Sequence, residues 1–158
     1  MTEKHVNPKI ENRKARHDFF LYEKFEAGIS LLGCEVKSIR EGRINLKDSY
    51  IRIVEKEAQL FNCHITPYSH IQGYAEVDPV RSRKLLLHRE EIDKLSGMAS
   101  QKGFSIIPVE MYFKKGKVKV TIALAKGKNQ YDKRESIKRK LDYKEATSAI
   151  RSGTRKKR

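Results

Sequence analysis

Two alternating runs flanking a short turn constrain this chain more than any other feature. Ser105–Phe113 and Lys117–Leu124 interleave apolar and polar residues on either side of Lys114, Lys115 and Gly116. That spacing is the signature of two strands, each with one face on a core, joined as a hairpin. A hairpin alone cannot bury its apolar face, so further strands must complete the layer. Asp18–Leu32 supplies a long one, alternating at Phe19 and Leu21 and again at Phe25, Ala27, Ile29 and Leu31, with Gly28 marking a bulge or a close approach. Ser49–Val54 and Ala58–Ile65, separated by Glu55, Lys56 and Glu57, read as a second hairpin. Pro108 confines its strand to an edge or an irregular position, because proline cannot donate to a ladder.

Helical signals are shorter. From Cys34 to Arg40, Val36 and Ile39 fall with Leu32 on one face, Lys37 and Arg40 on the other, and Gly42 is placed to stop the helix. A second helix is expected from His88, with Glu91 three residues on as in a capping box, through Ile92, Leu95 and Met98 to a stop at Gly103. Thr66–Ser82, with Pro67, Gly73 and Pro79, reads as a long loop. Strand, helix, hairpin, helix, hairpin without βαβ repeats predicts a mainly β fold: an antiparallel sheet curled into a small barrel with flanking short helices.

The ends differ from the middle. Residues 1–16 are polar and aperiodic and read as a flexible arm, 17–125 as the β domain, and 126–158 as a basic tail. That tail holds thirteen Lys and Arg against four Asp and Glu, a net of +9. Ile137, Leu141 and Ala149 or Ile150 are too few to fold it alone, which predicts disorder until a polyanion neutralises the charge. The whole chain carries +15, and phosphate is the polyanion best able to use such an excess. A membrane surface would want an apolar run or a broad amphipathic face, and neither is present. The N-terminal stretch has no apolar h-region, so a cytoplasmic protein is expected.

Chemistry is sparse. No phosphate loop, dinucleotide fingerprint or metalloprotease pattern occurs. Cys34 and Cys63 read as reduced core thiols. Adjacent Cys63 and His64 on a strand would point to opposite faces, so no metal or other cofactor is expected. His17 beside Asp18 could do acid and base work on RNA, but no second group of that kind is nominated, and the residue reads as a surface His that stacks or hydrogen-bonds. Glu26 and Glu35 read as structural or RNA-contacting carboxylates rather than a catalytic pair. Arg81, Arg83 and Lys84 form a candidate phosphate clamp. Lys37 and Arg40, with Lys115, Lys117 and Lys119, suit a basic face. Tyr22, Tyr68, Tyr74 and Phe113 are candidate stacking rings.

A chain of short motifs then gives a resemblance. NRKARHDFF from Asn12, FEAGI from Phe25, GCEVKSIREG from Gly33, LKDSY from Leu46, ITP from Ile65, DPVRSRKLLL from Asp78 and AKGKNQYDKR from Ala125 occur in order. Together they resemble the SsrA-binding protein (small protein B) family over about Asn12 to Arg139. The resemblance implies an oligonucleotide-binding-like barrel that binds the tRNA-like domain of tmRNA. It implies no enzyme, but a monomer that brings tmRNA to the vacant A site of a stalled 70S-type ribosome for trans-translation. Alanyl-tRNA synthetase and elongation factor Tu with GTP are implied as indirect partners. By position, Glu26, Leu86 and Lys119 match places tied to tmRNA binding, with Asn12, Lys14, Arg16 and His17 in a neighbouring signature. Lys37, Arg40, Arg81, Arg83, Lys84, Lys126 and Lys128 complete the expected RNA-binding set, with Leu86 equally explicable as core. Tyr131, Asp132, Lys133, Arg134, Lys138, Arg139 and Lys140 match a tail that contacts small-subunit ribosomal RNA and turns helical in the empty message channel. Thr147, Ser148 and Gly153 leave the length of that helix open. Three rivals share the charge pattern: a ribosomal protein, an RNA-processing enzyme using His17, and a DNA-binding barrel.

Overall fold

A computed structural model of the chain describes residues 7–70 and 77–155, with side chains described to Ala149. Tyr74, Gly73, Ile150 and the last three residues, each drawn into the sequence reading, lie wholly or in their side chains outside that set. Met1–Gly127 and Lys128–Arg158 form two compact units.

The first unit is built of antiparallel strands. In chain order they are β1 (Ile10–Glu11), β2 (Phe19–Ile29), β3 (Ile44–Asn45), β4 (Tyr50–Val54), β5 (Glu57–Phe61), β6 (His64–Ile65), β7 (Arg83–Leu86), β8 (Phe104–Lys114) and β9 (Lys117–Gly127). Seven of them order as β1-β8-β4-β5-β7-β2-β9, and β8 also pairs with β9, so the sheet closes into a ring. β3 and β6 pair separately. The expected mainly β, antiparallel architecture is what the chain adopts, and closure leaves few unpaired edges.

Both hairpins turn on two residues with positive φ: Glu55 and Lys56 at +49° and +64°, Lys115 and Gly116 at +50° and +74°. Such turns match the twist of the flanking strands. Glu57 and Lys114, read as turn residues, therefore belong to strands, paired with Val54 and Lys117. The run expected to Ile65 breaks at Asn62, whose φ is +58°, and its last residues become β6. Pro108 sits beside a register shift in β8 rather than at an edge; β8 is flanked by β9 and by β4 and β1. Gly28 is a close approach, since a Cβ there would meet Leu86 Cβ at 3.2 Å.

Helix α2 (Gly33–Arg40) and helix α3 (Arg89–Ala99) lie where periodicity placed them. Glu91 accepts from the His88 N–H at 2.9 Å, as the capping box required. Two stretches differ. The arm is organised from Ile10 onward, with a further helix, α1 (Arg13–Asp18), because Asn12 caps it and Ala15 packs on Ile107 and Ala125. The tail is one helix, α4 (Gln130–Arg155), which continues past Thr147, Ser148 and Gly153, the residues that left its length open. No helix among the described residues is long and apolar enough to cross a membrane.

The core gathers Ala27, Ile39, Leu46, Ile51, Leu60, Leu85, Leu95, Met111, Val120 and Ile122 inside the ring. Cys34 and Cys63 are buried free thiols, and burial pushes Cys63 up to about 11. One charged cluster shares this interior. Arg83 is 1 % exposed and Glu35 is 4 % exposed. Arg83 Nε donates to Glu35 Oε1 at 2.9 Å, and its Nη atoms donate to the carbonyls of Cys63 (2.8 Å), Arg81 (3.1 Å) and Pro79 (3.1 Å). Arg81 holds both oxygens of the same carboxylate at 2.9 and 2.7 Å, and the Leu32 N–H gives it a further bond at 2.9 Å. Burial pushes the Glu35 carboxyl upward, but the bonds from Arg81, Leu32 and Arg83 outweigh it and hold the group below its ordinary value.

Removing the carboxylate leaves the buried Arg83 charge unpaired, so Glu35→Ala should lower stability by about 3–5 kcal/mol in a denaturant titration. Because Glu35 is depressed in the fold, its contribution is present above its unfolded value of about 4.3 and is lost as pH falls through the lower folded value. An acid titration of unfolding free energy should therefore steepen below about pH 4.3 in the wild type, and Glu35→Gln should flatten that limb.

Candidate nucleic-acid interface

Register across four strands builds the site. Gly28 on β2 lies level with Leu86 on β7 and Lys119 on β9, and Lys119 lies level with Tyr112 on β8. Leu86, Gly28, Lys119 and Tyr112 thus form one row on the outside of the ring. Two residues back along β2, Glu26 stands level with Thr121, which is level with Glu110. Glu26, Leu86 and Lys119, far apart in sequence, converge because β2 pairs with both β7 and β9, and the closing pairing of β8 with β9 adds Tyr112.

Each member is placed by alternation. On β7, Arg83 and Leu85 turn inward while Lys84 and Leu86 turn out. Leu86 is 55 % exposed, so the core reading of this residue is replaced by a surface one. It lies over Gly28 because that position lacks a side chain. Glu26 accepts a short hydrogen bond from the Tyr112 hydroxyl and bonds from Lys114 Nζ at 3.1 and 3.3 Å. The Tyr112 bond and then the Lys114 bond hold the Glu26 carboxyl below its ordinary value. Burial and the bond to Glu26 raise Tyr112. Tyr112 and Thr121 were not singled out in the sequence. The outward parity of Glu110, Tyr112 and Lys114 along the hairpin strand was the signal that could have found them.

Toward α1 the same outer surface continues. Thr121 donates to Glu110 at 3.4 Å, and Glu110 faces Arg16 at 3.5 Å and Lys9 at 3.0 Å. Lys14 pairs with Asp48 and His17 with Asp18 at 2.7 Å. These side chains are partly exposed and set cations beside the row. Asn12 departs from its expected RNA-contacting role. It is 5 % exposed, caps α1 by accepting from the Ala15 N–H at 3.1 Å, and donates to the carbonyls of Leu46 (3.1 Å) and Pro108 (2.9 Å). It fastens the arm to the ring.

The expected clamp of Arg81, Arg83 and Lys84 is likewise taken apart. Both arginines are committed to Glu35 and to backbone carbonyls, and Lys84 alone turns outward, where it pairs with Glu57. Elsewhere cations lie over rings: Lys37 is 5.6 Å from the Tyr68 centroid, Arg40 5.6 Å from Phe113 and Lys126 5.6 Å from Phe104. Among the described residues no cluster of three or more His, Cys, Asp or Glu could hold a metal.

Asp132 accepts from the Asn129 N–H at 3.3 Å near the start of α4, where a carboxylate also favours the helix dipole. Lys128 reaches Ser136 at 3.3 Å and Arg139 pairs with Glu135. Tyr131 and Tyr143 are each 76 % exposed, and Leu141 is exposed too. Lys133, Arg134, Lys138 and Lys140 share this helix with few apolar residues to bury.

Comparison with known proteins adds an independent line. The family model described as "SmpB protein" matches residues 9–152. An SsrA-binding protein of Syntrophobacter fumaroxidans is 57 % identical over 135 residues, covering 85 % of this chain and 83 % of the relative. One from Symbiobacterium thermophilum is 50 % identical over 147 residues, covering 92 % of each. A solved chain described with the words "tmRNA-SmpB: a journey to the center of the bacterial ribosome" is 44 % identical, with a TM-score of 0.66 over 82 % of this chain and 94 % of that one.

For an RNA ligand on this face, Lys119→Ala should weaken binding across sequences and reduce the slope of log affinity against log salt by about 1. Leu86→Ala should leave the unfolding free energy within about 0.5 kcal/mol while lowering affinity, because an exposed side chain contributes little to the core. A binding titration at several salt concentrations, beside denaturation, separates the two effects.

Proposed function

This chain belongs to the SmpB protein family, and from that membership and the outer face of the ring we propose that it binds tmRNA and serves ribosome rescue by trans-translation. The observation that carries the reading is the row Leu86, Gly28, Lys119 and Tyr112 with Glu26 beside it. It joins an exposed apolar side chain, a cation able to neutralise phosphate and a carboxylate able to accept from a guanine or cytosine amino group. Such a face suits a folded RNA with exposed bases, here the tRNA-like domain of tmRNA. Lys14, Arg16 and His17 on α1 extend it toward neighbouring phosphates.

The tail has a separate task in this proposal. Its cations compete with message for the anionic channel downstream of the vacant A site, and the competition makes an empty channel detectable. Tyr131 stacks on a decoding base, while Lys133, Arg134, Lys138, Arg139 and Lys140 meet small-subunit ribosomal RNA. Support of tmRNA aminoacylation by alanyl-tRNA synthetase and delivery with elongation factor Tu belong to the same proposal. The protein's own part is binding and positioning, with no bond made or broken by its side chains.

The test compares the full chain with a version ending at Gly127, the last residue of β9 and partner of Phe19. At fixed salt both should bind the tRNA-like domain in preference to tRNA, and only the full chain should support tagging on stalled ribosomes. Equal binding of tRNA and tmRNA by the shortened chain would overturn the assignment of the ring as the reader.

A further inference from the structure

An exposed carboxylate on a face proposed to meet RNA is a liability, since it repels the phosphates that neighbouring cations attract. Glu110 and Glu26 both stand on the outer surface around Lys119, and they are held in different ways. Glu110 is answered from the N-terminal segment, by Lys9 at 3.0 Å and Arg16 at 3.5 Å, and Thr121 donates to it at 3.4 Å. Its side chain is 19 % exposed, against 39 % for Glu26. The Glu26 bonds come from one strand, β8. Tyr112 Oη donates to Glu26 Oε2, and Lys114 Nζ donates to Oε1 at 3.1 Å and to Oε2 at 3.3 Å. Lys119 on β9 adds positive charge nearby.

A carboxylate offers about four acceptor directions, two on each oxygen. On Glu26 both directions of Oε2 are taken, by Tyr112 and Lys114, and one direction of Oε1 is taken by Lys114, so among the described residues Oε1 keeps an open one. The directions in which the two groups are shifted keep Tyr112 a protonated donor and Glu26 an ionised acceptor at neutral pH. An unheld glutamate side chain gives up rotamer freedom when it takes a ligand. Here the carboxylate is already fixed in the folded protein, so a ligand does not have to order it. What it accepts must be a donor. Exocyclic amino groups of bases are donors, whereas phosphate oxygens, base carbonyls and ring nitrogens that lack a proton are not.

We propose that Tyr112 is a positioning residue for RNA recognition: its hydroxyl fixes the Glu26 carboxylate so that the open direction of Oε1 accepts from the exocyclic amino group of one unpaired base. Lys114 offsets the charge of the carboxylate, and Lys119 in the same row meets a neighbouring phosphate. Tyr112 acts through Glu26 and needs no contact of its own with the RNA. This rests on the reading that the Glu26, Leu86 and Lys119 face binds the tRNA-like domain. Cations alone attract RNA of any sequence, and the fixed acceptor is what makes this face choose.

The test titrates the full chain with the tRNA-like domain at fixed salt, replacing unpaired nucleotides one at a time by analogues that lack only the exocyclic amino group. These are inosine for guanosine, purine riboside for adenosine and the 4-deamino analogue for cytidine. At one position the wild type should lose about tenfold in affinity, the size of one hydrogen bond to a charged group. Tyr112→Phe, which removes a single oxygen, should bind the unmodified RNA about fivefold more weakly and cut that penalty to about twofold. In a Glu26→Ala background it should have no further effect, because two residues that act through one bond do not add. The penalty is a ratio read on one protein sample, so a change in the stability of a variant cancels from it. If Tyr112→Phe weakens binding yet keeps the full penalty, or adds its loss to that of Glu26→Ala, the positioning role is overturned. No amino penalty at any position in the wild type, or a penalty that follows 2′-deoxy substitution instead, overturns the base amino group as the donor. Unchanged affinity in both Glu26→Ala and Lys119→Ala strikes the binding face itself and the positioning role with it, whereas losses in those two beside a full penalty in Tyr112→Phe strike the positioning alone.

Discussion

Glu35 is the point on which the rest of the ring hangs. Its carboxylate opens α2, accepts from the Leu32 N–H, and draws in Arg81 and Arg83 from a segment 46 and 48 residues away. Arg83 then ties Cys63 and Pro79 through their carbonyls. The cluster thus fixes β7, a strand of only four residues that stands between β5 and β2. A strand so short has little ladder of its own to set its register. Its buried guanidinium adds a side-chain anchor to the short ladders that join β7 to β5 and to β2. Burying these charges is costly, and the arrangement is tolerable because the Arg83 donors and the Glu35 oxygens find partners.

Register in β7 is what assembles the outer row. With Arg83 inward, alternation turns Lys84 and Leu86 outward, and Leu86 settles over Gly28. A shift by one residue would point Leu85 outward and bury Leu86. The same parity on β8 and β9 brings Tyr112 and Lys119 into the row and lets Tyr112 and Lys114 hold the Glu26 carboxylate. The proposed binding face is therefore built from a core interaction on the other side of the same strand.

The division into a ring and a helical tail separates two ways of using positive charge. On the ring most cations are paired with carboxylates or laid over rings, as Lys14, Arg16, Arg40 and Lys126 are, which fixes their positions and favours shape-specific recognition. Along α4 cations outnumber acids and apolar residues are few, so the RNA contacts proposed for it would be governed by charge and salt.

Sequence alone determined the elements that local physics sets. Alternation marked both hairpins and the long β2, capping and spacing marked α2 and α3, the density of cations marked the tail, and the ordered motifs gave the family. It misjudged the residues whose role depends on distant partners. Three cations in four positions look the same whether they clamp phosphate or, as for Arg81 and Arg83, enclose a carboxylate from α2. Asn12 looked like part of a polar arm until Leu46 and Pro108 were seen to accept its hydrogen bonds. Leu86 suited core and surface equally until Arg83 set the parity of β7. Only the tertiary structure could decide these cases, because burial and pairing are properties of residues brought together from far apart in the chain, and no window of neighbouring sequence contains both partners.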